Sequence, residues 1–334
     1  MSKDFNNEEK VSFTHEVKNE ICLVEGRNIS SNLALLSAFI KINGSLLLRG
    51  NDWVIQIKTE NKKIAKLIFS LTKSIFKSEC RIIISEKKRF KTTGNNKVIL
   101  IEITNNVKNM LETLQIYSDK SGFTLLPKYE FLQNSEVKKD YIAGTFLASG
   151  SVNSPYTSNY HLEVAVNSFE HAELLVNQLN KFYIDGKIIK RRNQIIVYLK
   201  KSEQIADFLR VVGAYQSLMK FENVRIQRDQ YNSANRVSNC DIANLKKALN
   251  KGLEQQAKIK IIQSRIGLDN LDDKYRDLAK IRLEHPEYCL NDLVDAVFED
   301  HNVRITKSGI NHRMQKLMEI ADKIKGEENI NGQK

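Results

Sequence analysis

The sequence predicts an α+β chain in which two copies of one α-β-β-α-β-β-α unit build a mixed antiparallel saddle sheet, followed by an all-α helix-turn-helix module. Three observations carry that prediction. Leu36-Ser37-Ala38-Phe39-Ile40-Lys41-Ile42-Asn43-Gly44 and Ile142-Ala143-Gly144-Thr145-Phe146-Leu147-Ala148-Ser149-Gly150 read as the same apolar helix with a small-residue side and a glycine stop, 106 positions apart. The same succession of strand-period and helix-period patterns follows each copy. The last stretch of the chain keeps to helical period alone.

In the first repeat, Trp53, Ile55 and Ile57 alternate with Val54, Gln56 and Lys58, which predicts a strand over Trp53 to Lys58. Ile64, Leu67, Ile68, Leu71 and Ile75 recur at helical spacing, then come β-rich runs at Arg81 to Ser85 and Val98 to Thr104 and a helix from Val107 to Ile116. In the second repeat the matching elements are a strand at Tyr160 to Val166, a helix at Phe169 to Phe182, strands at Ile188 to Arg191 and Gln194 to Leu199, and a helix at Ser202 to Val211. A polar stretch from Asn232 leads into helical pattern ending near Gly267. Three stripes close the chain: Leu271, Tyr275 and Leu278; Leu290, Leu293, Val294, Val297 and Phe298; and Ile310, Met314, Leu317 and Ala321. Pro286 separates the first from the second as a helix breaker should. The expected division is an N-terminal segment over 1–32, a two-repeat body over 33–230, a helical linker over 231–270, the helix-turn-helix module over 271–325 and a frayed tail over 326–334.

Composition narrows the class. At 334 residues the chain exceeds what one core usually serves, and 41% apolar with 28% charged residues is ordinary for a globular protein. No apolar run approaches the roughly 20 residues of a membrane span, and Met1 to Lys10 lacks the apolar core of a signal peptide, so a cytoplasmic, nucleoid-associated protein without a membrane partner is expected. Cys22, Cys80, Cys240 and Cys289 form no C-x-x-C pair, and His15, His161, His171, His285 and His301 show no ligand spacing, so no metal or other cofactor is expected. Phosphate-binding glycine loops and nucleophile elbows are absent from the sequence. The net charge of +12 invites a polyanion. Residues 231 to 334 hold 18 Lys or Arg against 16 Asp or Glu, so +10 of that excess lies in residues 1 to 230.

The two glycine-stopped helices resemble the LAGLIDADG signature of homing endonucleases. In that family an Asp or Glu just before each final glycine holds the metal that cuts the strand. Here those positions are Asn43 and Ser149, and no acid occurs from Leu33 to Asn51 or from Tyr141 to His161. Two neutral side chains cannot offset divalent ions beside a phosphate, so a nuclease scaffold without nuclease chemistry is expected.

Base recognition is assigned to the third stripe of the last module. Thr306 suits an N-cap, and Lys307, Ser308, Asn311, His312, Gln315 and Lys316 project away from the apolar side, with Arg313 placed to hold the backbone. Asn and Gln suit adenine, and Lys suits guanine or phosphate. A solvated helix face is the competing reading. A second basic group comprises Lys87, Lys88, Arg89, Lys91 and Lys97 in the first repeat and Lys187, Lys190, Arg191, Arg192, Lys200 and Lys201 in the second. On a saddle these cations would follow the phosphate backbone. They would equally guard exposed strand edges against pairing.

Taken together, the chain resembles the bacterial WhiA family of DNA-binding regulators over nearly its whole length. The resemblance rests on Ser12-Phe13-Thr14-His15-Glu16-Val17-Lys18-Asn19-Glu20-Ile21, on Gly144 to Ser151 with His161-Leu162-Glu163, and on Lys220-Phe221-Glu222-Asn223-Val224-Arg225. Most specific are Asn235-Arg236-Val237-Ser238-Asn239-Cys240-Asp241-Ile242-Ala243-Asn244-Leu245 and Lys307-Ser308-Gly309-Ile310-Asn311-His312-Arg313. It implies a non-enzymatic protein of cell division and chromosome segregation that acts on double-stranded DNA through transcriptional control, with sporulation roles in some relatives. The alternative is a protein-interaction scaffold that docks on RNA polymerase or a regulatory protein. One departure stands out: Glu299-Asp300-His301-Asn302 and Arg304 lengthen the expected turn between Val297 and Thr306.

Overall fold

The structure is a computed structural model that describes residues 12–50, 52–86 and 97–331 and divides after Arg228 into two units. The first unit opens on α1 (Phe13–Ile21), which the sequence reading left inside an unassigned segment. Phe13, Val17 and Ile21 fall at i, i+4 and i+8 and are all buried, and Ser12 caps the helix by accepting from the His15 amide.

The two signature helices are α2 (Ile29–Asn43) and α5 (Ser135–Ser149), and they form the most extensive helix contact of the unit. Ala34, Ser37 and Ala38 on α2 and Ala143 and Gly144 on α5 are buried, and small side chains allow close backbone approach. Gly144 shows how close: a Cβ there would strike the backbone carbonyl of Leu35. Ser37 Oγ donates to the Leu114 carbonyl at 2.7 Å, which ties α2 to the end of the first repeat.

Each helix runs straight into a strand. In the first repeat β1 (Gly44–Arg49), β2 (Asp52–Thr59), α3 (Lys62–Phe76), β3 (Cys80–Glu86), β4 (Lys97–Ile103) and α4 (Val107–Thr113) follow. The short hairpin β5 (Tyr117–Ser118) and β6 (Gly122–Phe123) leads to α5. In the second repeat β7 (Gly150–Val152), β8 (Leu162–Val166), α6 (Phe169–Asn180), β9 (Lys187–Arg191), β10 (Gln194–Leu199) and α7 (Ser202–Val211) repeat the plan. The sheets have the same strand order, β1-β2-β4-β3 and β7-β8-β10-β9, and every pair is antiparallel. One face of each sheet supplies the core: Ile55, Ile57, Ile99, Ile101 and Ile103 in the first, and Leu162, Val164, Val166, Val197 and Leu199 in the second. Burial of that apolar area on both sides of the helix pair is the main source of the unit's stability.

The longest helix, α8 (Tyr215–Arg265), is continuous across the expected start of the linker at residue 231. No Pro or left-handed cap interrupts it, so the polar composition around Asn232 does not end the helix. The second unit packs the end of α8 with α9 (Asp273–Glu284), α10 (Leu290–His301) and α11 (Lys307–Asn331) around Ile259, Ile262, Leu278, Leu293, Val297, Ile310, Met314, Leu317 and Ala321. Packing of this module therefore starts upstream of Leu271. At Gly252 a Cβ would hit the Pro286 carbonyl, so α8 lies directly on the α9–α10 turn. Arg282 completes the turn. Its buried guanidinium donates from Nη1 to the carbonyls of His285, Pro286 and Tyr288 at 3.1, 3.2 and 2.8 Å, and burial lowers its pKa.

The helical backbone of α11 extends past Gly326 to Asn331; a lone interior glycine costs about 1 kcal/mol, and Glu327 and Glu328 are good helix formers. One expectation is corrected. The turn before Thr306 is short, because Glu299, Asp300 and His301 complete α10. Asn302 then ends it in the left-handed region (φ 51°), its amide donating to the Phe298 carbonyl at 2.9 Å.

Candidate nucleic-acid interface

The polar face of α11 is built from the cap outward. Thr306 Oγ1 accepts from the Gly309 amide at 3.2 Å and keeps its own hydrogen to donate. With Ile310, Met314, Leu317 and Ala321 buried, Lys307, Ser308, His312, Gln315 and Lys316 are exposed, and Asn311 and Arg313 are half-buried. The first turns of α11 thus present a polar surface that carries three cations, Lys307, Arg313 and Lys316, among neutral hydrogen-bonding side chains. Lys316 is partly committed elsewhere: its ammonium lies 2.9 Å from Glu319, which raises the lysine pKa and lowers that of the carboxyl.

The basic positions of the body do not share one face. In the second sheet the Glu163–Tyr198–Lys187 row and the Arg191–Gln194 pair lie on the side opposite the buried Leu162, Val164 and Val166. Lys190 pairs with Ile195, in register with Val166, and so belongs to the other side at the sheet edge. Arg192 forms the hairpin turn at φ 56°, and the Lys200 ammonium sits 5.3 Å from the Tyr198 ring centre. Lys187, Lys190, Arg191, Arg192, Lys200 and Lys201 are all exposed. In the first sheet Lys97 lies opposite Glu86 across the β3–β4 ladder. Lys87, Lys88, Arg89 and Lys91 lie outside the described residues.

Sequence reasoning missed the acids on these sheets. Glu102, only 3% exposed, is the second-last residue of β4 and accepts from Arg49 Nη2 and Gln56 Nε2, both at 2.7 Å, with Arg81 adjacent in register. The hydrogen bonds from Arg49 and Gln56 hold its carboxyl below the usual range. A single acid inside the apolar run Lys97–Ile103 was the available signal. On the second sheet Glu163 accepts from Ser151 Oγ at 3.4 Å and lies 3.1 Å from His161 Nε2, and the His161 ring stacks on Tyr198.

At the tips of the paired helices, Asn43 Nδ2 donates to the Ala148 carbonyl at 3.4 Å and Ser149 Oγ donates to the Ala165 carbonyl at 2.6 Å. The tips are thus bonded to backbone. A cleft of about 600 Å³ beside Asn43 is lined by His15, Lys18, Lys58 and Glu60 among others. Burial pushes the Lys18 ammonium down to about 8, and Lys41, which donates to the Thr124 carbonyl at 2.7 Å, is likewise lowered to about 8. Lys41 lines a separate pocket with Phe123 and Thr124, so the cleft beside Asn43 takes its cations from Lys18 and Lys58. Among the described residues no three His, Cys, Asp or Glu side chains come together as a metal site.

Two four-stranded antiparallel sheets of equal strand order, two helices paired through small residues, and a capped helix-turn-helix module define a LAGLIDADG-like body joined to a DNA-binding type of domain. Family models match each part: the WhiA N-terminal LAGLIDADG-like domain over residues 30–117, the WhiA LAGLIDADG-like domain over 138–231 and the WhiA C-terminal HTH domain over 234–321. The chain belongs to the WhiA family. The Probable cell division protein WhiA of Staphylococcus aureus (strain USA300) is 40% identical over 320 residues, covering 96% of this chain and 99% of that protein. The protein of the same name in strain NCTC 8325 / PS 47 matches to the same extent. Full-length WhiA from Thermatoga maritima shares the fold in its crystal structure, with a TM-score of 0.57, 24% identity and coverage of 93% and 98% of the two chains.

Proposed function

We propose that this chain is a non-enzymatic regulator of cell division and chromosome segregation that binds double-stranded DNA on the nucleoid and acts through transcription. The observation that carries the reading is the capped start of α11, where Lys307, Ser308, His312 and Gln315 are exposed beside half-buried Asn311 and Arg313. The charge of the body supports backbone contacts through Lys187, Arg191 and Arg192. Asn43 and Ser149 bond to carbonyls where a nuclease of this fold would place acids, which supports binding without strand scission.

The test is a binding isotherm with strand integrity read on the same samples. DNA fragments recovered with the protein from its own cells, incubated with magnesium or manganese, are expected to be bound and to stay full length on denaturing gels. Cleavage that disappears in Asn43→Ala or Ser149→Ala would refute the non-enzymatic part. A second reading, a scaffold docking on the transcription machinery, is favoured by one feature: Ile82, Ile83 and Ile84 are exposed along β3, an edge strand among the described residues. On that reading Ile83→Lys abolishes function while DNA affinity is unchanged.

A further inference from the structure

The motif Asn235 to Leu245, the most specific local pattern in the sequence, has no role in the recognition helix. It lies inside α8, where every residue from Asp229 to Lys247 is exposed. This stretch is poorly composed for a helix standing in water. Asn232, Asn235, Asn239, Asn244 and Asn250, with Ser233, Ser238, Cys240 and Asp241, are all weak helix formers, because their short polar groups compete for nearby backbone bonds. Little packing offsets that cost, so helix stability does not explain the choice of residues.

Their spacing does. Asn232, Arg236, Asn239, Ala243, Lys246, Lys247 and Asn250 recur at three- and four-residue intervals and share one side of the helix. Between Asn232 and Asn250 that side carries three cations and three amides and no acid, since Asp241 falls on the opposite side; Asp229 and Glu254 flank the row on the same side. No ion pair with a described carboxylate holds Arg236, Lys246 or Lys247. Carboxamides in an exposed cationic row match the chemistry of phosphates flanking adenine-bearing base edges. From Asn232 to Asn250 the row runs for about 27 Å at ~1.5 Å per residue, most of the ~34 Å turn of a duplex.

We infer that this stretch of α8 is a second DNA-contacting helix, with Arg236, Lys246 and Lys247 on phosphates and Asn232 and Asn239 at base edges or sugars. The inference rests on the DNA-binding reading above and assigns to it a further element. A neighbouring stripe of Tyr231, Ile242, Leu245 and Leu249, also exposed, offers the competing occupant, a second copy of the chain.

The full chain carrying Arg236→Ala, Lys246→Ala and Lys247→Ala together tests this against Asn311→Ala. Alanine is the best helix former, so the triple variant should keep or raise its helical circular dichroism and thermal midpoint, and any loss of binding is then not unfolding. The expected result is a salt dependence of log Kobs that is shallower by about 2.7 units, on specific and random duplexes alike. An unchanged slope, with Asn311→Ala still weakening only the specific site, overturns the inference and leaves the reading of α11 standing. An unchanged slope with an oligomer that Leu245→Asp dissociates also overturns it and assigns the helix to self-association. If neither variant alters DNA binding, both the inference and the reading beneath it fail.

Discussion

His171 sits on α6 at 1% exposure with its Nε2 3.1 Å from the Tyr141 hydroxyl, while its Nδ1 meets no partner among the described residues. Burial lowers its pKa from 6.5 to about 4, with the Lys41 charge adding to the effect. The folded chain therefore binds this proton less readily than the unfolded chain does. Its contribution is fully present above about pH 6.5 and is lost as pH falls toward 4, a change of about 3 kcal/mol. Urea unfolding of His171→Gln is expected to lack that component between pH 7 and 4; a variant with the parent's pH dependence would refute the assignment. Residues differ in how openly the sequence shows their role. Thr306 was legible because an N-cap depends only on its nearest neighbours. Glu102 was not, because its partner Arg49 comes from a strand 53 positions away and only the β1-β2-β4 order brings them together. Its carboxylate is also why Arg49 is not part of a free basic surface.

At the scale of elements, local period predicted most helices and strands, and the misses have separate causes. β1 and β7 follow their helices with no loop, so the apolar run of α2 continues into Leu46 and Leu47 and hides the change of period. α10 was read one turn short because its last residues, Glu299, Asp300 and His301, are exposed and carry no apolar mark. Two substitutions test the elements that place the site. Thr306→Ala removes the cap of α11 and should cost about 1 kcal/mol in thermal or urea unfolding of the module. A loss under a few tenths would mean that the cap is made by another group. Gly144→Ala forces a methyl onto the Leu35 carbonyl and should destabilise the body by about 1 to 3 kcal/mol, more than Ala143→Gly. Equal effects would show that the helix pair is loose at this crossing.

Across the whole molecule, the division of charge is the property that sequence displayed best and structure refined most. The body holds nearly all of the net positive charge, yet its described cations are spread over two faces and a turn, with Lys97 opposite an acid. The nearly neutral C-terminal unit holds the compact polar surface. On the proposed reading most of the electrostatic attraction comes from the body, and Arg236, Lys246 and Lys247 add phosphate contacts from the C-terminal unit. Removing Lys187 should flatten the salt slope by roughly 0.9 unit on any duplex, whereas Asn311→Ala should cost about 1 to 3 kcal/mol at a specific site and little on random DNA. The most direct measurement is selection of bound duplexes from a random pool by the full chain and by Asn311→Ala, followed by sequencing. The intact protein should enrich one motif, and the variant should lose preference at one or two of its positions. Equal enrichment by both proteins, or no motif with either, would contradict the assignment of sequence reading to α11.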